Sequence, residues 1–241
     1  MALAAGANAA PACPAAPSKV PAAVIELYTS EGCSSCPPAD QWLAGLPTDG
    51  SVLALAFHVD YWDDLGWADR FGNAAYSARQ RQIQSASGAR FVYTPQVVAN
   101  GRDFPGWRQL VPSVWPAGVS NALPADAPRL ALRRDGRQLV AEIGSAPGTA
   151  RLAGYWVLVE DGHASQVGRG ENAGRALRHE HVVRLYEPVA AWAGNLATER
   201  RWTAPTASAG HPAQAVFVLT DGAGGRPLAA RQLALANAPG C

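Results

Sequence analysis

Two cysteines separated by two serines form the part of this chain best suited to chemistry: Cys33, Ser34, Ser35 and Cys36. A β-prone run precedes them, and two prolines follow, which suits the first turn of a helix. A dithiol between a strand and a helix is typical of a redox centre, because helix N-terminal N–H groups stabilise a thiolate. We therefore expect Cys33 to be the nucleophile and Cys36 to resolve the mixed disulfide. The serines offer hydrogen bonds to the Cys33 sulfur and are assigned to substrate binding.

A second feature is the dipeptide Thr94-Pro95, which precedes a β-prone run. In redox folds of this kind a cis proline faces the cysteine pair and leaves the adjacent backbone free to pair with an extended substrate. A cis X-Pro bond is the minority form, so it usually has a purpose. The ordinary alternative is a trans proline at a strand start. We predict the cis form and include both residues in the catalytic set.

Two further side chains, Trp62 and His58, are candidates for the same site. Trp62, in an aromatic and acidic loop over residues 60–69, is predicted to line the substrate site; the alternative is packing that buries the loop. His58 ends a buried strand and is a candidate proton shuttle, since histidine titrates near neutral pH. The alternative for His58 is an ordinary core-edge histidine bonded to the backbone.

Metal binding is the main alternative chemistry for the cysteine pair. A lone CxxC lacks the second ligand pair of a structural zinc site. Thiolates do favour Cu(I), so a Cu(I) delivery protein, or a zinc site, stays open. His179 and His181, two apart on a β-prone run, are expected to point to one face. We assign no metal ligands and no cofactor other than the disulfide. A third hypothesis is that Cys33–Cys36 is a structural disulfide in a non-catalytic interaction module.

Composition narrows the function classes. The chain has 241 residues, 48% hydrophobic and 16% charged, so it can build a core and is not disordered throughout. A net charge of +1 argues against a nucleic-acid partner. No apolar run reaches the 18 residues of a membrane span. The expected partner is a protein thiol or disulfide.

The composition of the chain ends and their two cysteines favour a particular cellular compartment. Residues 1–21 are rich in alanine and proline and read as the flexible tail of an exported chain whose signal peptide is absent. Cys13 in this tail and Cys241 at the other end are expected to form a structural disulfide that ties the termini together. Two free thiols in a reducing cytosol are the alternative. We expect a periplasmic or secreted protein.

Strand and helix signals divide the chain in two. Residues 22–118 alternate β–CxxC–α–β–α–β, with a helix over 73–87, which predicts an α/β domain with a mostly parallel sheet. Residues 129–241 contain short β-prone runs and an Asp135-Gly136 hairpin signal, which predict an antiparallel β-sandwich-like domain. Whether that region folds alone stays open. The glycine-rich stretch 168–174 is expected to be a turn that carries Asn172 to a contact between the domains.

Several segments resemble the DUF1223 family of exported bacterial proteins: residues 25–40, 57–63, 65–67, 93–96 with 100–101, 169–172, and Leu177, His179 and residues 181–184. The resemblance implies a thioredoxin-like fold and a periplasmic or secreted setting. The family has no assigned substrate. Thioredoxin carries a buried acid six residues before its first cysteine, where this chain has Leu27. Glu26 lies seven before and is therefore kept only as a candidate proton shuttle.

Overall fold

The computed structural model of the chain describes residues 23–113, 123–203, 205–222 and 225–235. The expected tail, with Cys13, and the other expected disulfide partner, Cys241, lie outside the described residues. In the part that is described, no helix is long and apolar enough to cross a membrane.

Two α-helices and thirteen strands make up the described chain, together with two short 3₁₀ helices. In the first region the elements are β1 (Ala23–Thr29), α1 (Pro37–Ala44), β2 (Val52–His58), a 3₁₀ helix (Asp63–Leu65), α2 (Ala74–Ser87), β3 (Gln96–Ala99), β4 (Arg102–Asp103) and a 3₁₀ helix (Pro105–Gln109). The second region contains β5 (Leu130–Asp135), β6 (Gln138–Ile143), β7 (Arg151–Glu160), β8 (His163–Gln166), β9 (Ala176–His179), β10 (Val182–Ala193), β11 (Thr198–Thr203), β12 (Ala213–Asp221) and β13 (Pro227–Leu235).

A mixed sheet of eight strands forms the centre of the fold, in the order β13-β12-β7-β10-β2-β1-β3-β4. Strands β1 and β2 are parallel, and β10 meets β2 in parallel, but β3 runs antiparallel to β1. The remaining pairings in this sheet are antiparallel. The prediction of a mostly parallel sheet is therefore wrong. Alternating strand and helix signals set the order of elements but not the direction in which each strand enters the sheet.

The second region extends the sheet of the first. Its strand β10 bonds to β2, and β7, β12 and β13 continue outward from there. Two antiparallel sheets complete the described fold: β11-β6-β5, and the pair β8-β9. A core that includes Leu139, Trp156 and Phe217 joins β6 of the small sheet to β7 and β12 of the large one. Strands from both halves of the chain thus share a single sheet.

The helix ends follow local sequence rules. Asn73 caps α2, and its side chain accepts a hydrogen bond from the Ala75 amide at 2.9 Å. Gly88 ends α2 in the left-handed conformation, φ +70°, which glycine adopts without a Cβ clash. Helix α1 begins at Pro37, directly after Cys36 in the N-cap position. The predicted boundaries of α2 are confirmed to within one residue.

Candidate functional site

A disulfide joins Cys33 to Cys36 where β1 leads into α1, with an S–S distance of 2.10 Å. Both cysteines are fully buried, whereas Ser34 and Ser35 between them are exposed. The Ser35 hydroxyl lies 3.4 Å from the Cys33 Sγ, within hydrogen-bonding distance for sulfur. One of the two serines therefore contacts the sulfur as the sequence predicted. The substrate-binding role of both serines stays a prediction.

Trp62 connects the cysteine loop to the segment around Pro95. The Thr94–Pro95 peptide bond is cis, as predicted. The Trp62 indole Nε1 donates a hydrogen bond to the Thr94 Oγ1 at 2.8 Å. On the other side, Trp62 lies so close to Gly32 that a Cβ on that glycine would approach the Trp62 Cβ to 3.2 Å. The half-buried Trp62 thus bridges Gly32, which precedes Cys33, and Thr94, which precedes Pro95.

A turn from the second region, about 140 residues further along the chain, contacts the cysteine loop. The buried Asn172 Nδ2 donates to the backbone oxygens of Glu31 and Cys33, each at 2.9 Å. The neighbouring Glu171 Oε2 accepts the backbone N–H of Ser34 at 3.0 Å. The sequence predicted the Asn172 contact in general terms. It did not identify Glu171, although an acid beside that asparagine in a glycine-rich turn was a usable signal.

Four ionisable side chains form a buried network directly beneath this loop. Asp69 Oδ2 accepts the Glu31 backbone N–H at 2.8 Å and lies 2.7 Å from the His58 Nδ1. The Glu31 carboxylate accepts the Trp67 indole N–H at 2.7 Å, and its other oxygen lies 3.2 Å from the His179 Nε2. The His58 and His179 rings are 5.1 Å apart, centroid to centroid. The carboxyl ends of β1 and β2 thus bring the network together, the usual site position in α/β sheets.

Burial and charge pull the pKa values in this network in opposite directions. Burial disfavours the charged imidazolium of His58, but the Asp69 carboxylate outweighs it and raises the His58 pKa. Burial likewise opposes the charge on Asp69, yet His58 and two backbone amides lower its pKa. Asp40, one turn into α1 and near both network histidines, is different: burial dominates and raises its pKa. The network therefore combines a histidine that holds its proton more firmly than usual with an aspartic acid that ionises less readily than usual.

Several buried polar atoms here lack a hydrogen-bond partner of good geometry. They are the His58 Nε2, both ring nitrogens of His179, one carboxylate oxygen of Glu31, the Thr29 hydroxyl and the Ser165 hydroxyl. Buried polar groups are nearly always paired, so this concentration is unusual for a structural cluster. The sequence flagged His58 but missed Glu31, Asp69 and Asp40. Acidic residues so close to a CxxC motif were the available signal.

The other proposed proton carrier, Glu26, lies in a separate and fully paired cluster. Its carboxylate contacts the Arg79 guanidinium at 2.5 Å and accepts hydrogen bonds from the Tyr28 and Tyr155 hydroxyls, each at 2.7 Å. All four side chains are buried. Burial opposes the charge on Glu26, but Arg79 and the two hydroxyls lower its pKa overall. These contacts give Glu26 a structural role.

The two histidines near residue 180 do not share a face. His179 ends β9 and points into the network, whereas His181 lies between β9 and β10 with φ +57°, 3.3 Å from Asp161. The expectation that both rings point to one face is wrong, because the chain turns out of the strand between them. Among the described residues, no group of three or more His, Cys, Asp or Glu side chains is arranged to hold a metal ion.

A family model matches most of the chain. It is the model of a protein family of unknown function, DUF1223, and it matches residues 24–220. The chain belongs to this family. The match covers both the cysteine loop and the turn that carries Glu171 and Asn172. No curated protein matches the chain.

Two solved structures have a similar fold. One, from Agrobacterium tumefaciens, has a TM-score of 0.67 and 24% sequence identity, over 92% of this chain and 97% of its own length. The other, HBP35 of Porphyromonas gingivalis, has a TM-score of 0.54 and 12% identity, over 90% of this chain and 76% of its own. At these identities the likeness extends to the fold alone.

Proposed function

We propose that the protein is an exported thiol–disulfide oxidoreductase of thioredoxin-like type, which acts on protein thiols or disulfides in the periplasm or outside the cell. The observation that carries the proposal is the Cys33–Cys36 disulfide at a strand-to-helix junction, which Trp62 connects to the segment with the cis Thr94–Pro95 bond. Cys36, and not Cys33, is the N-cap residue of α1, and the first two helical residues are prolines that have no N–H to donate to a sulfur. The positive end of the helix dipole at this junction still favours a thiolate.

The proposed exchange takes place in two steps. A substrate thiolate attacks the Cys33 Sγ, the Cys33–Cys36 bond breaks, and Cys36 leaves as a thiolate that takes a proton. A second substrate thiolate then attacks the substrate sulfur of the mixed disulfide, which releases an oxidised substrate and leaves both cysteines reduced. The reverse sequence reduces a substrate disulfide. Both cysteines are buried, so either direction requires a local opening of the loop.

The network beneath the loop is the proposed source of protons. His58 and Asp69 form a close pair, and His58 keeps a buried, unpartnered Nε2. Asp40 follows Cys36 by one helical turn, and its backbone N–H donates to the Cys36 carbonyl at 3.1 Å. A raised Asp40 pKa keeps a fraction of this acid protonated closer to neutral pH than an ordinary aspartate. In the proposed mechanism this network protonates the leaving Cys36 thiolate.

The decisive experiment is the reduction potential of Cys33–Cys36 in glutathione and dithiothreitol buffers, with the metal content assayed first. We expect a value between about −120 and −270 mV, the range of dithiol enzymes, and no bound metal. C33S should abolish exchange, and C36S should trap a mixed disulfide. The control variant C13S/C241S replaces the two cysteines outside the CxxC motif by serine, and it should keep the wild-type potential.

Two outcomes would contradict the proposal. A potential well below about −300 mV, typical of structural disulfides, would make the pair a staple of an interaction module. One equivalent of copper or zinc, lost in C33S and C36S, would instead indicate a metal-delivery protein.

A further inference from the structure

We propose that Glu171 places an uncompensated negative charge at the exchange site, and that this charge makes the disulfide select positively charged thiols over negatively charged ones. The proposal rests on the proposed function, because it concerns the partner of the same cysteine pair. The partner class it names is a thiol that carries, or is flanked by, positive charge.

The position of the charge follows from one hydrogen bond and covalent geometry. The Glu171 Oε2 lies 3.0 Å from the backbone nitrogen of Ser34. That nitrogen is bonded to the carbonyl carbon of Cys33, and standard bond lengths place it at most about 5 Å from the Cys33 Sγ. The carboxylate oxygen is therefore at most about 8 Å from the sulfur that a thiolate would attack. This distance is no greater than the Debye length of about 8 Å at physiological ionic strength, and it is well below the Debye length of about 30 Å at about 0.01 M salt.

The turn that carries Glu171 is held firmly in place. Asn172 is buried and donates to two backbone oxygens of the cysteine loop, while its own Oδ1 accepts from the Arg175 Nη1 at 2.8 Å. The ends of the turn are joined by the Val167 amide donating to the Arg175 carbonyl at 3.0 Å. These hydrogen bonds fix the turn, and the turn holds the Glu171 carboxylate against the Ser34 amide.

Within the part of the chain that the structure describes, no cation forms an ion pair with this carboxylate. Among the described side chains, none that is basic lies within ion-pairing distance of Glu171. Arg175 is directed to Asn172, and Arg169 lies two residues earlier on the turn. The bond from Ser34 lowers the Glu171 pKa, so the group is ionised at neutral pH. The segment that contacts the turn, through Leu65 and Gly66 near Gly170, adds two more acids, Asp63 and Asp64.

The charge acts on the first exchange step. When a thiolate attacks the Cys33 Sγ and displaces Cys36, any charge elsewhere on the incoming molecule enters the field of Glu171. A cationic group is drawn in and an anionic one is repelled, while the bonds formed and broken are the same. The reacting sulfurs are also negative, so the carboxylate raises the pKa of the reduced Cys33 thiol.

The test compares three small thiols that differ in charge: cysteamine, 2-mercaptoethanol and 2-mercaptoethanesulfonate. The rate at which each reduces the Cys33–Cys36 bond is measured at low salt and divided by its thiolate concentration. In the wild type we expect this normalised rate to be highest for cysteamine, intermediate for 2-mercaptoethanol and lowest for 2-mercaptoethanesulfonate. E171Q keeps an oxygen to accept the Ser34 N–H but removes the charge. It should reduce the cation-to-anion rate ratio about two- to tenfold.

Two variants and a salt series provide controls. E171K should reverse the order of the thiols. D126N changes the net charge as E171Q does but alters an exposed residue whose neighbour in sequence, Ala127, packs against the core that contains Trp156, and it should keep the wild-type ratio. At about 1 M salt, where the Debye length falls to about 3 Å, the wild-type ratio should approach that of E171Q. An unchanged ratio in E171Q overturns the proposal.

A second measurement separates this proposal from the proposed function. In C13S/C36S/C241S the one remaining thiol is Cys33, and its ionisation is followed by thiolate absorbance with and without E171Q. We expect E171Q to lower the Cys33 pKa, and equal pKa values would contradict the role of Glu171. If the pKa moves but the disulfide has the potential of a structural staple, the charge effect stands and the oxidoreductase proposal fails.

Discussion

Two buried ionic clusters lie along β1, one around Glu26 within the strand and one around Glu31 beyond its carboxyl end, and they differ in how completely their polar atoms are paired. In the cluster around Glu26, the carboxylate is matched by one arginine and two tyrosine hydroxyls. In the network around Glu31 and Asp69, both histidines carry ring nitrogens without a partner. A fully paired cluster holds one protonation state, whereas a partly paired one has room for a proton to arrive or leave.

Position in the sheet accounts for the difference. The Glu26 side chain is enclosed by α2 and β7, through Arg79 and Tyr155. Glu31 lies beyond the carboxyl end of β1, two residues before Cys33. The first cluster therefore stabilises the fold, and the second lies where the proposed chemistry needs protons. Three variants would break or sharpen this contrast.

The largest effect is expected from R79M, which leaves the Glu26 carboxylate buried without its cation. Removing one partner of a buried ion pair costs about 3–5 kcal/mol of unfolding free energy. Urea denaturation measures this loss. The double variant E26Q/R79M, which removes both charges, should recover a large part of it. If the double variant is as unstable as the single, Arg79 acts through packing and not through charge.

A medium effect that depends on pH is expected from H58Q. Because the folded state raises the His58 pKa above its ordinary 6.5, the pair stabilises the fold fully below that value and loses this contribution as pH rises through the folded pKa. The lowered Asp69 pKa gives the other limit: its contribution is present above about 3.8 and is lost as pH falls through the folded value. The stability difference from wild type should therefore be greatest between these limits, at about 1–3 kcal/mol.

The matched comparison for H58Q is R79M, measured by urea denaturation from pH 5 to pH 9. The loss in R79M should not shrink as pH rises, because removal of Arg79 leaves the buried Glu26 carboxyl without the cation that stabilises its ionised form. A loss in H58Q that does not shrink as pH rises would contradict the assignment of a raised His58 pKa.

The smallest effect is expected from H179F. The phenyl ring can keep the contacts that His179 makes with the Phe71 and His58 rings. Of the ring nitrogens it removes, Nδ1 has no partner among the described residues, and Nε2 lies 3.2 Å from a Glu31 oxygen without a well-formed hydrogen bond. We expect a loss of at most about 1 kcal/mol. H163F is the matched control, since the His163 Nε2 lies 2.9 Å from the Glu160 carboxylate, and it should cost more. Equal losses in the two variants would show that pairing does not distinguish these histidines.

Local patterns in the sequence were good predictors where the structure depends on a few adjacent residues. The CxxC motif between strand and helix, the cis Thr94–Pro95 bond, the α2 boundaries and the Asp135-Gly136 hairpin are all present as predicted. The direction of β3, the union of both halves in one sheet and the separation of His179 from His181 depend on pairings between distant segments. Neither composition nor spacing contains that information.

By itself, the sequence determined where the cysteine pair lies: at a helix start, because helix capping and proline placement act over a few residues. Only the tertiary structure decided what surrounds that pair. Glu31 meets His179, and the Ser34 amide meets Glu171, because β9 and its turn, more than 100 residues away, pack against α1 and the cysteine loop. The charge of a carboxylate is a local property, but its effect depends on burial and distance, which long-range packing sets.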